Sequence, residues 1–124
     1  MPILNIQIMQ GHTDSEKTAL LENATRAVEA SIGAPVQSIR IVLEEVDARN
    51  VIVAGKLGHP MALALVRLIA GRDEAKKATL IAALSLAIHA SLGIAEQDIR
   101  VVLTDVPNTD MGVAGGLTAK AAGR

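Results

Sequence analysis

The chain has 124 residues, half of them hydrophobic, with 12 basic and 13 acidic side chains interspersed and a formal net charge of −1. That is the size of one compact domain, and the balanced charge with no basic tract argues against nucleic-acid or membrane-surface binding. Cysteine is absent, which excludes a disulfide scaffold, thiol catalysis and thiolate metal sites; with no Phe, Tyr or Trp, the core must be Leu, Ile, Val, Ala and Met, and nothing is available to stack on bases.

Residues Met1 to Met9 alternate in polarity and lack the basic region of a signal peptide. Leu4, Ile6 and Ile8 share one face and Asn5 and Gln7 the other, the pattern of a half-buried strand over Ile3 to Met9. Gly11 breaks the run, and Thr13-Asp14-Ser15-Glu16 is a capping box that starts a helix. Leu20, Ala24, Ala27, Val28 and Ile32 follow at helical spacing, and Gly33 is placed to cap the end. The β-branched run Ile39 to Val46 predicts a second strand, parallel to the first through a right-handed crossover. Val51 to Gly55 is read as a small hairpin.

The next sixty residues repeat this unit. Shifting the sequence by sixty positions gives 18 gapless identities between residues 1–58 and 61–118: Met1/Met61, Gly11/Gly71, Lys17/Lys77, Leu20/Leu80, Ala27/Ala87, Ala30/Ala90, Ser31/Ser91, Gly33/Gly93, Gln37/Gln97, Ile39/Ile99, Arg40/Arg100, Val42/Val102, Leu43/Leu103, Val46/Val106, Val53/Val113, Ala54/Ala114, Gly55/Gly115 and Leu57/Leu117. The apolar stretch Pro60 to Ala70 contains Arg67 and is too short to span a bilayer, so it reads as the copied first strand. Asp73 caps the copied helix, Leu80, Leu84, Ala87 and Ile88 form its stripe, and Gly93 stops it. Met111 to Gly116 repeats the hairpin. The expected fold is α/β, a single domain over residues 1–124 built of two β-α-β repeats at about 1–58 and 61–118. One such unit of about sixty residues buries too little surface to stand alone. Two can pair into a four-stranded sheet with both helices on one face, leaving the other face in need of a partner. A soluble, cytoplasmic, self-associating protein is expected.

Chemistry narrows to few residues. If Met1 is removed, the nitrogen of Pro2 changes from an amide to a secondary amine, which neighbouring cations and desolvation can tune into the range of a general base. Against this, prolines near strand ends are ordinary. Arg40 and Arg100 hold matching positions at the start of each second strand, and Arg72 follows Gly71 where the first copy has His12. Most arginines are solvated or salt-bridged, but this one side chain also suits planar, bidentate carboxylate recognition. His12, His59 and His89 lack ligand spacing and acidic companions, so no metal site is expected. Ala54-Gly55-Lys56 lacks the frame of a phosphate loop, and no dinucleotide fingerprint or nucleophile elbow is present.

With these residues in place, the chain resembles the tautomerase superfamily, in the fused, double-length form of the 4-oxalocrotonate tautomerase group. The likeness runs from Met1-Pro2-Ile3 through Gly11 to Lys17 and Gly33 to Ile41 in the first copy. It continues through Gly71-Arg72-Asp73-Glu74, Ile99 to Val102 and Pro107 to Gly116 in the second. The resemblance implies a cofactor-independent isomerase acting on small 2-hydroxydienoate or 2-hydroxyacrylate type carboxylic acids, and a homotrimer. Processed Pro2 would be the general base, with Arg72, Arg100 and Arg40 binding carboxylates and Met111 and Val51 walling the pocket. The chain departs from the family pattern at three places. His12 replaces one exit-loop arginine, Val51 and Met111 stand where an aromatic is common, and Ala62 replaces proline in the second copy. Since Ala62 is internal, one active site per chain is expected. The alternatives are a related hydratase or dehalogenase, for which Asp110 and Glu45 are candidate carboxylates, and a non-catalytic trimeric module that binds small acids.

Overall fold

The computed structural model describes residues 1–124. Two helices cover one face of a four-stranded sheet, and each copy of the sequence contributes one helix and two strands. In chain order the main elements are β1 (Ile3–Met9), α1 (Asp14–Ile32), β2 (Arg40–Val46), the short β3 (Ile52–Val53) and β4 (Lys56–Leu57), β5 (Ala62–Ile69), α2 (Glu74–Leu92) and β6 (Ile99–Val106). The sheet order is β2-β1-β5-β6. Pairing is parallel within each copy and antiparallel between β1 and β5 at the centre.

Local chemistry explains the element ends. At α1, Thr13 Oγ1 accepts from the Glu16 N–H at 3.1 Å while Glu16 Oε1 accepts from the Thr13 N–H at 2.8 Å, so the capping box closes in both directions. Asp73 accepts from the Lys76 N–H at 2.8 Å to start α2, but a lysine at that position cannot return the bond. Both helices end on a glycine in the left-handed region, Gly33 and Gly93.

The apolar stripes meet in one core. Leu4, Ile6 and Ile8 from β1 and Ala62, Ala64, Val66 and Leu68 from β5 pack against Leu20, Ala24 and Val28 of α1 and Leu80, Leu84 and Ile88 of α2. Each large aliphatic side chain removed from water here contributes about 1.5–3 kcal/mol. By length and apolar composition α2 alone would be able to cross a membrane, yet Leu80, Leu84, Ala87, Ile88 and Leu92 are buried inside the fold. A repeated ion pair ties each helix to its strand: Lys17 to Glu45 at 2.9 Å, and Lys77 to Asp105 at 2.5 Å.

The central pairing carries the symmetry. Asn5 lies opposite Leu65, its own counterpart in the second copy. A pseudo-twofold axis therefore passes through this pair, and the row Val42, Asn5, Leu65, Val102 crosses the sheet on the face away from the helices. Val42 and Val102 remain exposed on the outer strands.

The two expected hairpins differ. β3 and β4 form one in the first copy, but the second copy keeps only a single bridge between Gly112 and Thr118. Gly112 and Gly116 stand where the first copy has Ile52 and Lys56. Glycine has no side chain to pack on a neighbouring strand and loses more conformational freedom on ordering, so the ladder shrinks.

Candidate active site

Strand direction sorts the sequence-derived residues into two groups. Because β1 and β5 are antiparallel, the exit of β5 lies beside the entry of β1, which brings Arg72 to the amino-terminal end. Because β2 runs parallel to β1 with Arg40 opposite Ile3, Arg40 starts at that same end. β6 delivers its following segment, with Met111, there as well. The opposite end collects Arg100, which sits opposite Leu63, together with Met61, His12 and Val51. Pro2, Arg72, Arg40 and Met111 are thus brought together within one chain, and Arg100 and Val51 are not.

At the amino-terminal end, Pro2 is fully buried, and its carbonyl accepts from the Arg40 N–H at 3.1 Å. Two cavities flank Met1. The larger, about 570 Å³, is lined by Ile3, Gln37, Arg40, Val113 and Arg124 among others. The smaller, about 360 Å³, is lined by Pro35, Ser38, Ile69, Arg72 and Arg124 among others. No carboxylate side chain lines either cavity. Met111 is buried with Ile69 and Ala119, and Met1, Ile3, Val106 and Val113 pack around that cluster.

The electrostatics follow from this composition. The Met1 amine is held below its ordinary pKa, chiefly by burial and then by the Arg72 and Arg124 guanidinium charges. Arg72 donates to the Ile69 carbonyl at 3.1 Å, which orients the head group, and forms no ion pair. Arg40 and Arg124 form none either. Three guanidinium groups therefore stand without a side-chain carboxylate partner around the chain's first residues, an arrangement suited to a bound anion.

The pseudo-symmetric cavity, about 330 Å³, is built from the matching residues Met61, Leu63, Gln97, Arg100, Val53 and Ala54. Its chemistry differs. Arg100 donates to the Gln97 carbonyl at 2.6 Å and the Ile99 carbonyl at 3.1 Å, and Asp98, paired with His59 at 3.1 Å, lines the wall. Asp98 replaces Ser38 of the first copy. His89 lies exposed near the end of α2 with Nδ1 2.7 Å from the Ile94 carbonyl. No group of three or more His, Asp or Glu side chains converges to hold a metal.

A tautomerase enzyme family model matches this chain twice, over residues 2–59 and 63–121. The chain belongs to the tautomerase family. A probable tautomerase of Ralstonia nicotianae is 38% identical over 55 residues, covering 44% of this chain and 79% of that protein. Another from Staphylococcus saprophyticus is 40% identical over 55 residues, covering 44% and 90%. Such relatives correspond to one copy of the unit. A wild-type fused 4-OT designated Q0, solved as a symmetric trimer, matches both copies: it is 58% identical, covers 98% of this chain and 99% of its own, and superposes with a TM-score of 0.96. Pt0534, solved after inactivation by 2-oxo-3-pentynoate, is 40% identical with the same coverage and TM-score. The fused 4-OT type and its tautomerase fold are thereby shown for this chain.

Two contributors escaped sequence reading. Gln37 lines the larger cavity, and Arg124 lines both. Gln37 carried a signal, identity with Gln97, that gave no hint of a site. Arg124 carried none, because the position sixty residues earlier is Ala64, inside a strand.

Proposed function

We propose that this tautomerase ketonises 2-hydroxydienoate or 2-hydroxyacrylate type acids, with the amine of Pro2, freed by removal of Met1, as general base. The amine takes the enol hydroxyl proton, the electron pair closes the carbonyl, and the displaced π electrons take a proton from the resulting ammonium at carbon. No metal or organic cofactor enters this sequence. Arg72 and Arg40 bind carboxylate and stabilise the developing enolate, with Met111 as an apolar wall. The observation that carries the reading is the pair of cavities without an Asp or Glu side chain, beside the Met1 amine, whose proton affinity is lowered by burial and guanidinium charge. In the processed chain the amine moves one residue inward, to the Pro2 nitrogen, which Met1 no longer separates from the cavities.

Pt0534 is inactivated by an acetylenic 2-oxo acid, and such an acid is electrophilic toward a free amine. Q0 and two other fused 4-OT neighbours are trimers, and a homotrimer is assigned here. In such a trimer Arg100, remote from Pro2 in its own chain, binds carboxylate at the Pro2 site of a neighbouring copy, with Val51 walling that shared pocket.

The test begins with the intact mass of the native protein: retention of Met1 sinks the amine base. Ketonisation of 2-hydroxymuconate and phenylenolpyruvate is then followed by absorbance in wild type and Pro2→Ala. Adducts formed with 2-oxo-3-pentynoate should map to the Pro2 peptide. Hydration or dehalogenation would require a carboxylate to activate water. Asp110 is exposed and accepts from Thr109, and Glu45 is held by Lys17, so neither lines the cavities.

A further inference from the structure

The segment after β6 closes over the amino terminus and is fixed by its own backbone. Val113 N–H donates to Leu117 O at 2.7 Å, Ala119 N–H to Met111 O at 2.8 Å, and Lys120 N–H to Asn108 O at 3.0 Å. Ala119 is fully buried. Beyond it, Arg124 N–H donates to Ala119 O at 2.8 Å, and Asn108 Nδ2 donates to Arg124 O at 3.0 Å. Arg124 is therefore held at its main chain, while its guanidinium pairs with no acidic side chain.

Met1 and Arg124 are the two residues common to both cavities. Arg40 stands only in the larger and Arg72 only in the smaller. Removing Met1 would delete part of the wall between them, leaving one space with Arg40 on one flank, Arg72 on the other and Arg124 bordering both. The pseudo-symmetric cavity has nothing equivalent: its walls include Asp98, and the position sixty residues before Arg124 lies in β5.

We propose that Arg124 is a substrate-binding residue of this site, a third guanidinium bordering both cavities that takes the second carboxylate of a dicarboxylic acid whose first carboxylate is held by Arg40 or Arg72. The inference rests on the site described under the proposed function but not on the identity of the base. A linear acid with a carboxylate at each end matches cations on opposite flanks of the first residues. A monocarboxylate uses one flank only. Charge-assisted, bidentate bonds are the strongest that arginine makes, and lysine supplies the charge without the fork.

The experiment is a calorimetric titration of the Met1-free protein with adipate and, separately, hexanoate, both unreactive, in wild type, Arg124→Gln and Arg124→Lys. Wild type should bind adipate more tightly than hexanoate. Arg124→Gln should weaken adipate by about tenfold or more and hexanoate by less than about twofold, with Arg124→Lys recovering part of the loss. Thermal melts should be unchanged, since the segment is held by main-chain bonds. Equal losses for the two acids, no loss for either, or a wild type without preference for adipate overturns the proposal. If selective loss is found while protein that retains Met1, whose Pro2 nitrogen is an amide, ketonises as fast as the Met1-free form, Arg124 stands and the amine base falls.

Discussion

The two ends of the sheet share one architecture and differ in chemistry. Each has a cavity built from the same methionine, glutamine, arginine, valine and alanine positions. At the amino-terminal end the arginines face no carboxylate side chain, and a terminal amine lies among them. At the other, Asp98 lines the wall with His59 paired behind it, Arg100 donates to two carbonyls, His12 stands in for the exit-loop arginine, and Met61 is internal and carries no amine. The lesson is that shape alone does not make the site. Under the proposed function, unopposed positive charge and a free nitrogen do.

The sharpest break in that comparison is at the nitrogen. Protein that retains Met1, so that the Pro2 nitrogen stays an amide, should show kcat lower by about 100-fold or more, the usual worth of a positioned general base, and steady-state kinetics on 2-hydroxymuconate will show it. A wild-type rate in the Met1-retaining protein would remove the terminal amine from the difference between the two ends.

Next comes Arg72. Arg72→Ala should reduce kcat/KM by about 10- to 100-fold, because a charge-assisted contact to the substrate is lost. It should also move the acid limb of the pH–rate profile. The proposed Pro2 amine must be unprotonated to act, and Arg72 lowers the proton affinity of the Met1 amine one residue away. Losing that charge raises the pKa, so the limb shifts to higher pH. His12→Ala, at the matching position, should leave both quantities unchanged.

Arg100 tests whether the far end serves another copy. Arg100→Ala should cut kcat/KM by about tenfold. Co-assembling Pro2→Ala with Arg100→Ala chains should restore activity, since intact Pro2 and Arg100 then meet across an interface. No recovery on mixing would deny the far end its share in a neighbour's site.

The smallest effect concerns the helix starts. Thr13→Ala should cost about 1 kcal/mol in thermal or urea unfolding. The Glu16 carboxyl is held below the usual carboxylate range by the Thr13 backbone N–H and then by the Thr13 hydroxyl. A depressed carboxylate adds stability that is present above its unfolded pKa and lost as pH falls through the folded value. Wild type should therefore lose more of its melting temperature than Glu16→Gln on acidification. Asp73 has no returning partner, so changing Lys76 should not produce such a difference.

Much of the fold was legible because its signals are local. The alternation of Leu4, Ile6 and Ile8, the Thr13–Glu16 box and the terminal Gly33 and Gly93 each act within a few residues, and the duplication displayed them twice. The grouping of the arginines was not legible. Which end Arg72 reaches depends on β1 and β5 running antiparallel, a pairing across sixty residues that no periodicity encodes. Arg40 and Arg100, identical in sequence context, consequently fall at opposite ends. Arg124 was invisible for a related reason: its place depends on how a segment with little regular structure settles on β1 and β5.

The pairing of Asn5 with Leu65 has one more consequence. Were two identical single-unit chains joined along that axis, every substitution would be made twice, and neither end could change without the other. Covalent linkage of the copies lifts that constraint. Each end becomes free to drift, so that His12 and Arg72, or Ser38 and Asp98, record separate histories of what was once one position.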